Sequence, residues 1–237
     1  MISKVLTLSL LLALCGRFVF GAPVDFLDQQ RNMIEKQMID RGITNERILA
    51  AFLEVKRHLF VKPGLRDDAY NDSTLDIGEG EVLNRPYIVA IMTAVIAPGD
   101  DKKVLEIGTG SGYHAAILAE LVKEVYTIEI KETLSRRAQM TLSGMGYRNI
   151  KFKVGDGNYG WQEYAPFDGI ICTYTPDQIP PHLIEQLAVG GRMIVQVSHY
   201  SNVQDFILIE KDNQGKLKKT NLIPVLFSPA IRGTNEK

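Results

Sequence analysis

The sequence predicts an α/β fold, with a doubly wound, mostly parallel sheet, an N-terminal helical cover and a C-terminal antiparallel hairpin. Three observations predict it. Short apolar strands alternate with helical patterns between residues 103 and 197, a glycine-rich turn joins the first of these strands to its helix, and a turn at 212–215 separates two late strand patterns. Ligands of such sheets bind at the carboxyl ends of the parallel strands.

The first 21 residues have the pattern of a secretory signal peptide. Lys4 gives a short basic start, an apolar run extends from Val5 to Cys15, and Gly21 lies where a signal peptidase requires a small residue. The run is too short to span a bilayer. We expect cleavage and export to the periplasm or the medium; the alternatives are an uncleaved helix in a cytoplasmic protein and lipidation of Cys15. Cleavage leaves Cys172 as the only cysteine, which excludes an internal disulfide.

The remaining residues, 22–237, are predicted to form one domain. Residues 22–85 form the helical cover and a long loop, and residues 86–237 form a Rossmann-like core. Apolar residues recur at helical spacing from Asp25 to about Leu53. The segment 57–85 is rich in turn residues and is predicted to be irregular, with little core of its own. Long irregular segments in compact domains are usually functional.

The elements of the core follow from apolar periodicity and turn residues. The predicted helices are Pro86–Ile96, Tyr113–Val122, Glu132–Met145 and Pro181–Leu187. The predicted parallel strands are Lys103–Ile107, Val125–Ile128, Ile150–Val154, Phe167–Cys172 and Arg192–Val197. Gln204–Glu210 and Leu217–Phe227 form the predicted hairpin.

Composition and charge argue against several classes of function. The formal net charge is −1 and no run of lysine and arginine is dense enough to neutralise a phosphate backbone, so we expect no nucleic-acid partner. The histidines lack the spacing of metal ligands, so we predict no metal site. Cys172 ends an apolar strand and is interpreted as a packed thiol rather than a nucleophile. We expect a monomer without a membrane span.

The glycine-rich turn carries the first chemical signal. Gly108, Gly110 and Gly112 follow Glu106 at the end of the first strand, and such glycines let the backbone approach a ligand closely. Dinucleotide-binding turns read GxGxxG, whereas Tyr113 here replaces the last glycine. The pattern ExGxGxG therefore favours S-adenosylmethionine, whose ammonium group Glu106 can hold, over a nicotinamide dinucleotide. Taken alone, the turn is also compatible with a simple strand-to-helix connection.

Two further acidic residues follow successive strands. Glu129 ends the next strand, where a carboxylate can accept from both hydroxyls of a ribose, and Asp156 within Gly155-Asp156-Gly157 can accept from an adenine amino group. Asp156 is alternatively a turn aspartate. Because these strand ends meet at one sheet edge, we predict a cofactor site there. Its members are Glu106, Gly108, Gly110, Gly112, Glu129, Asp156 and Gly157.

The chain resembles the protein-L-isoaspartate O-methyltransferases from about residue 30 to residue 229. The central motifs that carry the resemblance are Val104–Tyr113, Val125–Glu129, Gly155–Gly157 with Gly160-Trp161, and Ala165–Asp168. Flanking motifs include Arg41–Ile43, Arg57-His58, Ala69–Asp72, Ile77-Gly78, Gly190–Arg192 and Pro224-Val225. The resemblance implies a class I methyltransferase that uses S-adenosylmethionine to methylate isoaspartyl carboxylates in damaged proteins or peptides.

The chain departs from the family pattern at two places. The family usually reads Gly-Gln-Thr-Ile-Ser where this chain reads Gly80-Glu-Val-Leu-Asn84, so that Asn84 takes the position of the family's functional serine and is our candidate catalytic residue. Thr173–Pro176 replaces a usual Thr-Ala-Ala-Pro and places larger side chains near the expected substrate pocket. Two alternatives to isoaspartyl methylation therefore stay open: a binding module without catalysis, and a methyltransferase with another acceptor.

Overall fold

The computed structural model describes residues 25–176, 178–198 and 204–222 of the 237-residue chain. The α-helices are α1 (Phe26–Met33), α2 (Glu46–Glu54), α3 (Pro86–Val95), α4 (Tyr113–Ala119), α5 (Glu132–Gly144) and α6 (Pro181–Gln186). The strands are β1 (Leu75–Gly78), β2 (Glu81–Leu83), β3 (Lys103–Ile107), β4 (Glu124–Glu129), β5 (Ile150–Val154), β6 (Phe167–Cys172), β7 (Leu187–Ser198), β8 (Gln204–Lys211) and β9 (Leu217–Asn221).

The main sheet has seven strands in the order β5-β4-β3-β6-β7-β8-β9. The pairs from β5 to β7 are parallel, whereas β7 pairs with β8, and β8 with β9, in antiparallel fashion. The strand order reverses between β3 and β6. Such a switch point opens a crevice at the carboxyl ends of the strands, which is where open α/β sheets bind ligands. The predicted fold class is confirmed.

Both faces of the sheet are covered because successive side chains of a strand point to opposite faces. On β3, Val104 belongs to the core beneath the N-terminal helices, α3 and α4, while the next residue, Leu105, belongs to the core on the other face with Leu183 of α6. The side chains of Val104 and Leu105 are both completely buried. This two-sided burial explains why the central strands read as continuous apolar runs.

The helical cover is held by side chains that cap its ends. The Asp25 side chain accepts from the backbone N–H groups of Leu27 and Asp28 at the start of α1. The Asn45 side chain accepts from those of Arg47 and Ile48 at the start of α2. The buried Gln30 then joins the two helices, because its Nε2 donates to the carbonyl oxygens of Phe52 (2.7 Å) and Val55 (3.0 Å).

The segment 57–85 is more ordered than the sequence predicts. It contains two 3₁₀ helices, Arg57–Phe60 and Pro63–Asp68, followed by the β1–β2 hairpin. Leu75 and Ile77 of β1 are buried on either side of the exposed Asp76, so the segment does contribute to the core, and the expectation of little core was wrong. Strands of four and three residues are too short to give a clear period-two signal.

The C-terminal hairpin is present as β8 and β9, which are joined by a turn in which Asp212 accepts from the backbone N–H groups of Gln214 and Lys216. The predicted signal peptide, His199 and the Pro224-Val225 motif lie outside the described residues and stay predictions. Among the described helices, none has both the length and the apolar composition that a bilayer span requires.

Candidate active site

A cavity of about 360 Å³ opens at the carboxyl ends of β3, β4, β5 and β6. Its volume lies within the range of small-molecule sites. The predicted site residues that line it are Asn84, Gly108, Gly110, Glu129, Asp156 and Gly157. Its other walls include Ile77, Glu81, Val82, Ile107, Ile128, Ile130, Asn158, Thr173 and Tyr174. The structure thus brings the β1–β2 hairpin and the three predicted strand ends to one space.

Two glycines of this site lie where no side chain fits. A Cβ atom on Gly108, whose φ is +98°, would lie 2.2 Å from Oγ1 of Thr173, and one on Gly157 would lie 1.9 Å from Cγ2 of Ile107. The Thr173 hydroxyl is directed at the carbonyl oxygens of Ile107 (2.9 Å) and Gly108 (3.0 Å). The loops after β3, β5 and β6 are therefore in direct contact.

The carboxylate of Glu129 is fixed by the backbone around it. Oε2 accepts from the N–H of Gly110 (2.9 Å) and Oε1 accepts from the N–H of Lys131 (3.0 Å). Glu129 is only 5% exposed and lines the cavity, so the remaining lone pairs of its two oxygens can reach a ligand. The backbone bonds hold these acceptors in place before any ligand arrives.

Asp156 caps the short 3₁₀ helix Gly157–Tyr159 that follows β5. Its Oδ1 accepts from both the backbone N–H and the side-chain Nδ2 of Asn158, each at 2.9 Å. The turn role that the sequence left open is therefore real, yet Asp156 also lines the cavity. One carboxylate oxygen serves the turn, and the other remains for a ligand.

Asn84 is held in place by a buried arginine that the sequence analysis gave no role. Arg57 is completely buried, its Nη2 donates to the carbonyl oxygen of Asn84 (2.7 Å) and its Nε donates to that of Ala69 (2.6 Å). Its guanidinium lies 4.8 Å from the ring centre of Tyr113, at the start of α4. Burial lowers the pKa of Arg57, but a guanidinium stays charged at neutral pH. Arg85, next in sequence to Asn84, is exposed and does not line the cavity.

Glu106 lies behind the cavity wall rather than in it. The residue is completely buried, and its Oε2 accepts from the hydroxyl of Thr127 (2.6 Å). The hydroxyl of Thr109, 2.6 Å from that of Thr127, must then act as the donor to it. Oε1 of Glu106 has no hydrogen-bond partner among the described residues. Glu106 instead lines an adjoining cavity of about 40 Å³, which it shares with Asn84.

His114 faces the same small cavity and is neutral. Its Nδ1 is 3.9 Å from Oε1 of Glu106, and its Nε2 is 2.9 Å from the hydroxyl oxygen of Thr93. Because Thr93 donates its hydrogen to the carbonyl oxygen of Val89, Nε2 must carry the proton and Nδ1 is an acceptor. Burial lowers the pKa of His114 to about 3, so the pair is not a salt bridge. Two buried acceptors therefore face each other.

This arrangement explains the state of Glu106. Burial, together with the charge of the nearby Glu129, raises the pKa of Glu106 to about 8, although the hydrogen bond from Thr127 opposes this. At neutral pH the carboxyl group of Glu106 is thus mostly protonated. Its proton supplies the hydrogen-bond donor that Oε1 of Glu106 and Nδ1 of His114 otherwise lack. A bound ammonium group or a water molecule would meet the same need.

Gly112 is a predicted site residue that lines neither the main cavity nor the small one. It precedes α4 in the left-handed conformation, with φ +88°, and does not line the cavity. A Cβ atom there would lie 2.8 Å from Cδ1 of Leu142 and 3.2 Å from Cβ of Ala138, both on α5. The third glycine of the turn therefore allows close packing of α5. Its role in cofactor binding stays a prediction.

Cys172 and two aromatic residues before β6 have structural roles. Cys172 is completely buried in the core, which confirms the packed-thiol interpretation, and burial raises the pKa of its thiol to about 12. Trp161 and Tyr164 pack against Tyr126 in the core, with ring centres 5.6 and 4.7 Å from it. No group of three or more potential metal ligands occurs within the part of the chain that the structure describes.

The family model of protein-L-isoaspartate(D-aspartate) O-methyltransferase matches residues 28–235. The chain belongs to this family. A protein-L-isoaspartate O-methyltransferase of Synechococcus sp. (strain JA-2-3B'a(2-13)) is 45% identical over 212 residues, which cover 87% of this chain and 86% of that protein. The family that the sequence motifs indicate is therefore confirmed.

Solved structures agree with this assignment. A protein-L-isoaspartate O-methyltransferase structure aligns with a TM-score of 0.70 and 27% identity, over 81% of this chain and 64% of that one. A structure from Plasmodium falciparum, determined in complex with S-adenosyl-L-homocysteine, has the same fold, with a TM-score of 0.70 and 19% identity over 84% of this chain and 94% of that one.

The packing role of Gly112 in this methyltransferase leads to a first prediction. Gly112→Ala should lower the free energy of unfolding by about 1–3 kcal/mol, because the new methyl group meets Leu142 in a backbone conformation unfavourable to alanine. Gly144→Ala is the matched control, since open space surrounds Gly144 in α5, and it should gain about 0.4–1 kcal/mol. Urea unfolding measures both. Equal stability of Gly112→Ala and wild type would show that α5 does not pack as described.

The protonated state of Glu106 leads to a second prediction. Its folded-state pKa of about 8 lies above the ordinary 4.5, so between these values the folded state binds more protons than the unfolded state. This component of stability is complete below pH 4.5 and is lost as pH rises through 8. Glu106→Gln should therefore flatten the dependence of unfolding free energy on pH between 5 and 8. Exposed Glu132→Gln is the charge control, and parallel curves for wild type and Glu106→Gln would contradict the protonated state.

Proposed function

We propose that this chain is an S-adenosylmethionine-dependent carboxyl methyltransferase that acts on L-isoaspartyl residues of damaged proteins or peptides. The observation that carries the proposal is the single cavity into which Glu129, Asp156, the Gly108–Gly110 turn and Asn84 open together, in a chain of this family. The first three suit the parts of the cofactor, and Asn84 lies on the hairpin side of the same space, where an acceptor can approach.

The buried polar atoms fit the cofactor. The ammonium of the methionyl group can replace the Glu106 proton as the donor between Oε1 of Glu106 and Nδ1 of His114, which it reaches through the small adjoining cavity. Glu129 has lone pairs for the ribose hydroxyls, and Asp156 has one free oxygen for the adenine amino group. S-adenosylmethionine, when bound, supplies an electrophilic methyl group on a sulfonium.

The charge of the cavity also suits a cationic ligand. Among the described lining residues, the carboxylates are Glu81, Glu129 and Asp156, and neither lysine nor arginine occurs. Nζ of Lys131 is paired with the carboxylate of Glu81 at 2.7 Å. A sulfonium and an ammonium are therefore attracted, and the low dielectric of the partly enclosed site strengthens that attraction.

The acceptor needs orientation rather than proton transfer. A carboxylate is already anionic at neutral pH, so no general base is required, and correct alignment in a dry pocket lowers the barrier. Asn84 offers an amide N–H₂ that can donate to the carboxylate, and Arg57 holds the backbone of Asn84 in position. Ile77, Val82 and Ile130 give the cavity apolar walls.

Two measurements separate this proposal from its alternatives. Calorimetry tests binding of S-adenosylhomocysteine, and methyl transfer to an isoaspartyl peptide, followed as ester formation, tests the reaction. Binding without transfer to this peptide favours a binding module or another acceptor. Absence of binding contradicts the cofactor assignment itself.

The role of Glu129 gives the third prediction. Glu129→Gln should weaken binding of S-adenosylhomocysteine by about 1–3 kcal/mol, since the amide has fewer acceptor sites for the ribose hydroxyls and no charge. Glu132→Gln, on the exposed surface of α5, removes the same charge outside the cavity and should leave the affinity unchanged. Isothermal titration calorimetry compares the two. If both variants bind as tightly as wild type, the ribose assignment of Glu129 fails.

The role of Asn84 gives the fourth prediction. Asn84→Ala should reduce kcat/KM for an isoaspartyl peptide by the value of one hydrogen bond to a charged group, about 1.5–3 kcal/mol, while cofactor affinity stays constant. Asn84→Ser should keep or raise the activity, because a hydroxyl also donates. Asn71→Ala, an exposed asparagine of the same segment that does not line the cavity, is the control.

The same assay distinguishes the acceptor. If wild type is inactive and Asn84→Ser combined with Val82→Thr restores transfer, the natural chain has another acceptor or serves as a binding module. If neither chain methylates the peptide although both bind the cofactor, isoaspartyl methylation is excluded, and a methyltransferase with a different acceptor or a binding module remains.

A further inference from the structure

Tyr174 lies on the cofactor side of the site rather than facing an acceptor. The half-buried residue follows Thr173 after β6 and stands between the main cavity and a neighbouring cleft of about 570 Å³. Asp156 and Asn158 also border both spaces. The departure of Thr173–Pro176 from the family pattern predicts larger side chains near the substrate pocket. The Tyr174 hydroxyl is instead directed toward the loop that follows β5.

A chain of hydrogen bonds joins Tyr174 to Asp156. The Tyr174 hydroxyl donates to Oδ1 of Asn158 at 2.5 Å, and Nδ2 and the backbone N–H of Asn158 both donate to Oδ1 of Asp156 at 2.9 Å. The orientation of the Asn158 amide is fixed, because a flipped amide would set its oxygen against the Asp156 carboxylate, and the Tyr174 hydroxyl then holds Oδ1 of Asn158 in place. No described residue donates to the second oxygen of Asp156.

Packing against neighbouring side chains does not fix Asp156 and Asn158. Asp156 and Asn158 are both exposed, and they belong to a loop and a 3₁₀ helix of three residues. Exposed side chains lose rotamer freedom when a ligand binds, and this loss weakens binding unless the rotamer is already fixed. Burial raises the pKa of Tyr174, so its hydroxyl remains a donor throughout the working range of pH.

We propose that Tyr174 is a positioning residue that acts through Asn158 to hold Asp156 ready for the exocyclic amino group of a purine. This inference rests on the proposed cofactor site. It predicts selectivity: the tyrosine strengthens binding of a 6-aminopurine ligand, whose exocyclic amino group donates to Asp156, and does not strengthen binding of a 6-oxopurine ligand, whose exocyclic oxygen is an acceptor.

The fifth prediction compares two ligands in two variants. For Tyr174→Phe, we expect the Kd of S-adenosylhomocysteine to rise about 3–10-fold, whereas the Kd of S-inosylhomocysteine, its 6-oxopurine analogue, changes less than about twofold, since a hydrogen bond is typically worth about 1 kcal/mol. Asn158→Ala should give the same pattern. The double variant should lose no more than Asn158→Ala alone, because both residues act on one carboxylate. Calorimetry on the full chain measures every affinity.

Tyr159→Phe is the matched control. Tyr159 lies on the same 3₁₀ helix, borders the neighbouring cleft and is 63% exposed, but its hydroxyl is not part of the chain to Asp156. Tyr159→Phe should leave the affinities for S-adenosylhomocysteine and S-inosylhomocysteine unchanged. Urea unfolding of each variant checks that the fold is intact, and Asn158→Ala provides an independent test that keeps the tyrosine ring.

The affinities test the positioning role of Tyr174 separately from the proposed methyltransferase function. An equal loss for both ligands shows that Tyr174 is only a wall of the site and overturns the positioning role, as does an unchanged Kd for S-adenosylhomocysteine or additive losses in the double variant. In these cases wild type still binds S-adenosylhomocysteine, and the proposed function stands. Failure of wild type to bind S-adenosylhomocysteine overturns both.

Discussion

The site depends on a close contact between backbone segments that leaves no room for a side chain at Gly108 or Gly157. The loops after β3, β5 and β6 approach so closely that a Cβ atom on Gly108 or Gly157 would overlap Thr173 or Ile107. The Thr173 hydroxyl bonds across the same contact to the carbonyl oxygens that end β3. Because parallel strands end at one edge, Glu129 at the end of β4 and Asp156 after β5 meet beside this contact. Glu129 and Asp156 line one cavity as a result.

A second constraint joins the N-terminal segment to that edge. Arg57 is buried without a carboxylate at salt-bridge distance among the described residues; it bonds to two backbone carbonyls and lies over Tyr113. Nη1 of Arg57 has no hydrogen-bond partner among the described residues, so the loss of either carbonyl would leave this buried charge with still fewer acceptors, which is costly. One of the two carbonyls belongs to Asn84. The position of the candidate catalytic residue is thereby coupled to the helix that follows the glycine-rich turn.

Sequence patterns predicted the parts of this architecture that repeat. The strand–helix alternation gave the sheet, and the acidic residues after successive strands gave Glu129 and Asp156, since strand ends meet at one edge. The β1–β2 hairpin was missed because its strands are too short for periodicity. The burial of Glu106, its neutral neighbour His114 and the bond from Tyr174 to Asn158 depend on contacts between residues distant in sequence, which no local pattern encodes.

The electrostatics of the cavity set a condition on the proposed reaction. Glu81, Glu129 and Asp156 line the space to which an acceptor carboxylate must come, and like charges repel in a site of low dielectric. The sulfonium of a bound cofactor offsets that repulsion, since the methionyl ammonium and carboxylate cancel each other, so binding of the acceptor is favoured after binding of the cofactor. Methyl transfer then removes the sulfonium charge and the acceptor charge together, leaving a neutral ester beside the carboxylates. The attraction that brought the acceptor in is thus lost on reaction, which favours release of the ester.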